Sequence, residues 1–206
     1  MVPEHIGQLM AFGSATLHEA QGQKGALAST IKPLDPGMKL VGPAYPVFSP
    51  PGDNMTIHHA VYHAPPGSIL VISTDNYIEA GAWGDILSLA AVTQGIAGLV
   101  TDGAVRDSDA IIAMGFPLFS QGLSIKGTSK VKLGTLGKPV ICGGVAIDAG
   151  DFIVADRDGV VVIPAGNLET VMQAARLREA KEEALRAEIR AGKTTLELLG
   201  VPALPT

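Results

Sequence analysis

The chain has one cysteine, one tryptophan, three tyrosines and five phenylalanines in 206 residues. A single thiol, Cys142, excludes an intrachain disulfide framework and suits a reducing compartment. So few aromatics leave the core to aliphatic side chains. Cationic excess is also missing: 15 Lys and Arg stand against 20 Asp and Glu, a net charge of −5. Nucleic-acid binding, which needs a clustered basic surface, is therefore not expected. No apolar run approaches the ~20 residues that span a bilayer. The start, MVPEHIGQLM, lacks the basic and apolar pattern of a secretory signal. A cytoplasmic protein is expected.

What is abundant is glycine, 25 residues, and proline, 14, within a chain that is 47% hydrophobic. The length fits a single domain over residues 1–206 with a sizeable core. This describes a compact chain packed mainly with aliphatic side chains and rich in turns.

The most informative stretch runs from Gly84 to Asp109. Leu87, Ala90 and Ala91 have the spacing of one helical face, and Gly95 stands where a left-handed C-terminal glycine is expected. Ile96–Val100 reads as a buried strand that ends at the Thr101-Asp102-Gly103 turn, just before Arg106-Asp107. A helix start offers unpaired N–H groups and positive dipole to an anion. A helix followed by an adjacent strand can bring Asp85 near Arg106 and Asp107. Two carboxylates without His or Cys suit a hard cation such as Mg²⁺, and Arg106 would offer a fork to a carboxylate or enolate. Taken singly, Asp85 could equally cap a helix, and Arg106-Asp107 with Asp109 could be a solvated turn.

Elsewhere, residues 6–20 read as helix broken near Gly13, with Ser14 as N-cap. Residues 39–48 read as a strand interrupted by prolines and so near a sheet edge. A helix over 55–63, capped by Asp53 or Asn54, carries His58, His59 and His63, expected as core or surface residues. Residues 68–73, 116–120, 131–145 and 152–163 read as strands. Residues 74–83 read as a surface loop that carries Asn76, Tyr77 and Glu79. Cys142 is expected in the core. Gly134-Thr135-Leu136-Gly137-Lys138-Pro139 lacks the Ser or Thr of a phosphate loop. A last helix is expected over about 167–191, with Leu168, Val171, Met172, Ala175, Leu185 and Ile189 on its apolar face.

Asp85, twenty intervening residues, then Arg106-Asp107 resembles the D-x20-R-D signature of class II pyruvate aldolases. The branch is that of 4-hydroxy-4-methyl-2-oxoglutarate and 4-carboxy-4-hydroxy-2-oxoadipate aldolases, within a family that includes RraA, the regulator of ribonuclease activity. Further matches are ATLHEAQG from Ala15, PPGDNMTIHHAV from Pro50, Met114-Gly115-Phe116-Pro117, GDFIVADRDGVVVIP from Gly150 and REAKEEALR from Arg178. The resemblance implies an α/β fold, a compact β-α sandwich similar to the swivelling phosphohistidine domain. It implies a trimer or hexamer with interfacial active sites and a divalent cation, Mg²⁺ or alternatively Mn²⁺. In that reading Asp107 binds the metal and Asp85 one of its waters. Gly84, Asp85 and the N–H groups of Ile86 and Leu87 bind the carboxylate of an oxo acid, and Arg106 faces the enolate. The loop over residues 74–83 forms part of the site wall, which makes Asn76, Tyr77 and Glu79 candidates for substrate selectivity. A glutamate of a neighbouring subunit, Glu182 with Glu179 in reserve, takes a proton. The implied reaction is cleavage to pyruvate and a second oxo acid, with oxaloacetate decarboxylation on the side. The alternative it carries is a non-catalytic RraA-like regulator.

Overall fold

A computed structural model describes residues 3–204. Helix α1, Pro3–Ala20, is followed by strands β1, Lys32–Pro33, and β2, Leu40–Phe48. Then come α2, Met55–His63; β3, Ile69–Ser73; β4, Gly81–Trp83; and α3, Asp85–Thr93. Next are β5, Gly98–Thr101; β6, Ala104–Val105; α4, Ser108–Met114; β7, Leu118–Ser120; and β8, Gly122–Leu123. The chain continues with β9, Thr135–Leu136; β10, Val140–Cys142; β11, Val145–Ile147; β12, Phe152–Ala155; and β13, Val160–Ile163. Helices α5, Leu168–Arg190, and α6, Thr195–Leu199, close it.

The main sheet runs β1-β7-β5-β3-β2-β12-β13, with β9 also on β2. Its centre, β2, β3, β5 and β7, is parallel. Val71, Leu99, Val100 and Phe119 are fully buried there, as expected of parallel strands covered on both faces. One buried cluster lies under α2, α3 and α4, and another packs α1 and α5 on β12 and β13.

Three consecutive strands of the main sheet each turn out of it into a short second strand. β3 leads to β4, β5 to β6 and β7 to β8, and the second set forms its own parallel sheet in the order β4-β6-β8. The turn from β5 to β6 is anchored by buried Asp102, which accepts from Thr74 N–H at 2.6 Å and Ser73 Oγ at 3.0 Å.

Several expectations are corrected. β2 is not at an edge. It pairs antiparallel with β12 through Leu40–Pro43, then parallel with β3 through Ala44–Phe48. Pro43 sits where the ladder changes partner. Pro46 points its carbonyl at Gly137 N–H, at 2.9 Å and away from β3, so its missing N–H costs β3 nothing. Residues 81–83 of the expected loop are strand β4, and residues 131–145 hold only short β9, β10 and the start of β11. Gly13 does break α1, with φ 77°, but the Ser14 hydroxyl donates to Asp156 Oδ1 at 2.6 Å and does not cap. On α5 only Leu168, Val171, Met172 and Ala175 are buried, because the helix runs on past the body; Ile189 is exposed. Asn54 is the N-cap residue of α2 without a side-chain cap bond, while Asp53 accepts from Met55 N–H at 2.9 Å.

Candidate active site

The site stands at the C-terminal ends of β4 and β6. Trp83 pairs with Val105, and Arg106 N–H donates to Trp83 carbonyl at 2.9 Å. Two residues beyond that pair, side by side, come Asp85 and Asp107. The twenty residues between Asp85 and Arg106 are therefore the rest of α3, then β5, β6 and the turns between them, which return the chain beside β4. Such strand ends are where open α/β sheets hold ligands.

The strand ends rest on a rigid floor. Trp83 is buried, stacks on Phe116 with ring centroids 6.0 Å apart, and donates Nε1–H to Ser88 Oγ at 2.7 Å. Gly84 then enters α3 with extended backbone, φ −148°. Any side chain there would collide with Asp107 Oδ2 and crowd Arg106 Nε. The first in-helix bond of α3 runs from Ser88 N–H to Gly84 carbonyl at 3.0 Å. The three earlier N–H groups thus have no partner in the helix backbone. Asp85 N–H donates to Asp107 Oδ2 at 3.4 Å, and Ile86 N–H to Asp85 Oδ1 at 2.7 Å. Leu87 N–H has no partner among the described residues.

Arg106 and Asp107 follow β6. Arg106 Nε lies 3.4 Å from Asp107 Oδ2, and both side chains stay partly exposed. Asp107 is left-handed, φ 58°, just before α4. This conformation is uncommon for a residue with a Cβ and is found disproportionately at working sites. A cavity of about 200 Å³ is lined by Asn54, His58, Gly84, Asp85, Arg106 and Lys130, with Gly81, Ala82, Ile86 and Leu87 completing it. A second recess of about 280 Å³ opens on the other side of Arg106 and Asp107, against Leu123, Ser124 and Ile125.

The structure thus brings Gly84, Asp85, Ile86, Leu87, Arg106 and Asp107 together. Glu182 and Glu179 lie elsewhere, on α5 against α1; Glu182 pairs with Arg178 at 2.9 Å and Arg186 at 3.1 Å. Asn76, Tyr77 and Glu79 do not line the cavity, and Glu79 is taken by Lys126 at 2.6 Å. His59 and His63 are exposed and meet edge-on, 6.1 Å apart. Burial pushes the Cys142 thiol well above its ordinary value, which makes it a core residue and no nucleophile.

Three cavity residues escaped the sequence reading. Asn54 is buried; its amide donates to Ala82 carbonyl at 3.1 Å, and its Oδ1 has no partner among the described residues. His58, on the first turn of α2, was expected as an ordinary core or surface histidine. Burial, then the Lys130 charge, push its pKa below the ordinary value, favouring neutral imidazole. Asp53-Asn54 before a helix was a signal that could have pointed here, whereas nothing marks Lys130 in its own stretch.

Among the described residues no three His, Cys, Asp or Glu side chains gather as a closed metal site. The oxygen donors of Asp85 and Asp107 fit a hard divalent cation that keeps most of its waters, and they include none of the imidazole or thiolate ligands on which zinc sites are mainly built.

The family model described as "RraA-like: Aldolase/RraA" matches residues 14–162. The chain belongs to this family. Within it, a Halalkalibacterium halodurans protein named "Putative 4-hydroxy-4-methyl-2-oxoglutarate aldolase" is 40% identical over 181 residues, 88% of this chain and 86% of that one. Legionella pneumophila DlpA is 34% identical over 94% of this chain, which spans only 33% of DlpA. The crystal structure of Streptomyces coelicolor RraAS2, described as an unusual RraA-family member, superposes with a TM-score of 0.79 at 30% identity over 90% of this chain and 98% of that one. The α/β fold is that of RraA-like proteins, and Asp85, Arg106 and Asp107 lie inside the matched family segment.

Proposed function

We propose that the chain is a divalent-metal-dependent lyase that cleaves a 4-hydroxy-2-oxo acid to pyruvate and a second oxo acid. The substrates would be of the 4-hydroxy-4-methyl-2-oxoglutarate or 4-carboxy-4-hydroxy-2-oxoadipate kind. The observation that carries the reading is the juxtaposition of Asp85 and Arg106-Asp107 on adjacent strand ends, beside the open N-terminus of α3. The H. halodurans relative supports it.

A cation such as Mg²⁺ or Mn²⁺, held by Asp107 directly and Asp85 through water, would supply positive charge beside the 2-oxo oxygen. The substrate carboxylate meets Leu87 N–H and the positive end of the α3 dipole. Asp85 has to release Ile86 N–H for that group to join. A base removes the 4-hydroxyl proton, the C3–C4 bond breaks, and its electron pair passes into an enolate. Arg106 stands beside the developing negative charge, where a preorganised cation gives most of the acceleration. Protonation at C3 then yields pyruvate. Glu182 of a neighbouring copy is the proposed base. His58 and Lys130 give the cavity a polar side suited to a distal carboxylate, and Asn54 Oδ1 an acceptor for a hydroxyl.

Association into trimers or hexamers is part of the proposal. Its support is the apolar rim around Arg106: Ile86 is 71% exposed, Leu123 61% and Ile125 95%. Such side chains are rarely left in water as a group. Oxaloacetate decarboxylation, through the same enolate, is the proposed side activity.

The test is pyruvate release from 4-carboxy-4-hydroxy-2-oxoadipate and from oxaloacetate, with Mg²⁺ and with EDTA. Metal-dependent cleavage of the first is expected. Turnover of oxaloacetate alone would keep the enolate site and move the substrate elsewhere. Silence on both from folded protein would favour an RraA-like binding protein, which the likeness to RraAS2 supports.

A further inference from the structure

Asp53 does not line the cavity, yet it holds segments that do. It is 1% exposed. Its Oδ2 accepts from Ser129 Oγ at 2.5 Å, Val131 N–H at 2.8 Å and Lys132 N–H at 3.1 Å. Its Oδ1 accepts from Met55 N–H at 2.9 Å. A carboxylate that merely caps a helix would spend itself on its own first turn. Here three of the four donors belong to a segment more than seventy residues further along.

That segment has little else to fix it. Ser129, Lys130, Val131, Lys132 and Leu133 are all exposed and outside regular strands. Main-chain bonds tie its first residue to the same turn: Ser129 N–H to Gly52 carbonyl at 2.9 Å and Asn54 N–H to Ser129 carbonyl at 3.0 Å. Lys130 lies between Ser129 and Val131, both gripped by one carboxylate oxygen, and its side chain reaches the cavity. Burial alone would raise the Asp53 pKa; the hydrogen bonds from Ser129, Val131, Met55 and Lys132 hold it well below the carboxylate range. It therefore stays ionised at any working pH and grips these donors with charge-assisted bonds.

We propose that Asp53 is a positioning residue that fixes Lys130 over the cavity, in register with Asn54 and the first turn of α2, so that the ammonium meets the distal carboxylate of the substrate. This rests on the oxo-acid reading of the cavity. Asp53 sets which oxo acids bind well, and Asp85, Arg106 and Asp107, which follow β4 and β6, do not depend on it.

The experiment compares two non-cleavable 2-oxo acids by calorimetric titration of the Mg²⁺-saturated protein. Pyruvate reads the proximal end alone, and 2-oxoglutarate adds a second carboxylate. Lys130→Ala is expected to lose roughly tenfold in 2-oxoglutarate affinity, the worth of one charge-assisted bond, with pyruvate unchanged. Asp53→Asn and the gentler Ser129→Ala are expected to lose about three- to tenfold for 2-oxoglutarate only. Neither should change affinity further in a Lys130→Ala background. Normal 2-oxoglutarate binding by Ser129→Ala and by folded Asp53→Asn would overturn the proposal, as would equal losses with and without Lys130. Should Asp53→Asn fail to fold, Ser129→Ala decides alone. Wild-type protein that binds neither acid would refute the cavity reading itself, a result visible before any variant is made.

Discussion

Asp85 and Asp107 are joined main chain to side chain: the Asp85 N–H donates to Asp107 Oδ2 at 3.4 Å. The Asp85 carboxylate meanwhile bonds its own helix at Ile86. The contact holds the start of α3 against the end of β6, and Gly84 leaves room for it.

Gly84→Ala puts a methyl group against Asp107 Oδ2 and beside Arg106 Nε. Alanine adopts the extended backbone of Gly84 without strain, so the fold should survive. Displacing the two side chains should cut pyruvate release about a hundredfold, the usual cost of small misplacement at a reacting centre. Melting followed by circular dichroism, with the pyruvate assay alongside, checks both halves. Full activity would show that the packing around Gly84 is not needed.

Asp107→Asn and Asp107→Ala separate charge from backbone. Both lose the carboxylate and should lose turnover. The left-handed φ of 58° is tolerated by Asn and costs Ala about 1 kcal/mol. For a chain of this size that lowers Tm by about 2–4 °C. Calorimetry should therefore rank Asn above Ala in stability while both are inactive, and an active Asn variant would remove the carboxylate from the mechanism.

Glu182→Gln tests the borrowed base. Its pairs with Arg178 and Arg186 are partly exposed, worth about 0–1 kcal/mol, so stability should change little. Turnover should fall about 10²- to 10⁴-fold if Glu182 moves the proton. Glu183→Gln, its exposed neighbour paired to Arg186 and Arg190, should cost neither. Equal kinetics for the two variants would send the search for the base elsewhere.

Asp102 predicts a pH dependence of stability. Burial raises its carboxyl pKa, against the hydrogen bonds from Thr74 and Ser73. A group raised on folding contributes stability fully below its unfolded value, about 3.9. That contribution is lost as pH rises through the folded value. Asp102→Asn retains an acceptor for Thr74 and cannot ionise. Its Tm relative to wild type should climb between pH 4 and pH 7, and a flat difference over that range would contradict the assignment.

The legible parts of the chain were those written locally. The periodicity of α3, Gly95 at its end with φ 75°, and the apolar run of β5 all stand where the pattern predicts them. The convergence of Asp85, Arg106 and Asp107 was legible because one helix and one strand fix it. Asn54 and His58 stand one turn apart at the start of α2, but they meet Lys130 only through long-range contacts with an irregular segment, which no window of sequence contains. Strands of two or three residues, such as β6 and β8, are too short to show a period. The prolines of β2 argued for an edge because composition does not reveal that the ladder changes partner at Pro43.

Three main-sheet strands that each put out a short second strand make an arrangement of three repeated prongs. The first ends in Gly84 and Asp85, the second in Arg106 and Asp107, and the third leads into residues 124–134 with Lys130. In the proposed reaction the metal and enolate groups would stand on two prongs, and the third would supply Lys130 to the far end of the substrate. The third can be rewritten, in length or in charge, while the first two stay as they are. A descendant of this protein can thus acquire a new diet without relearning its chemistry.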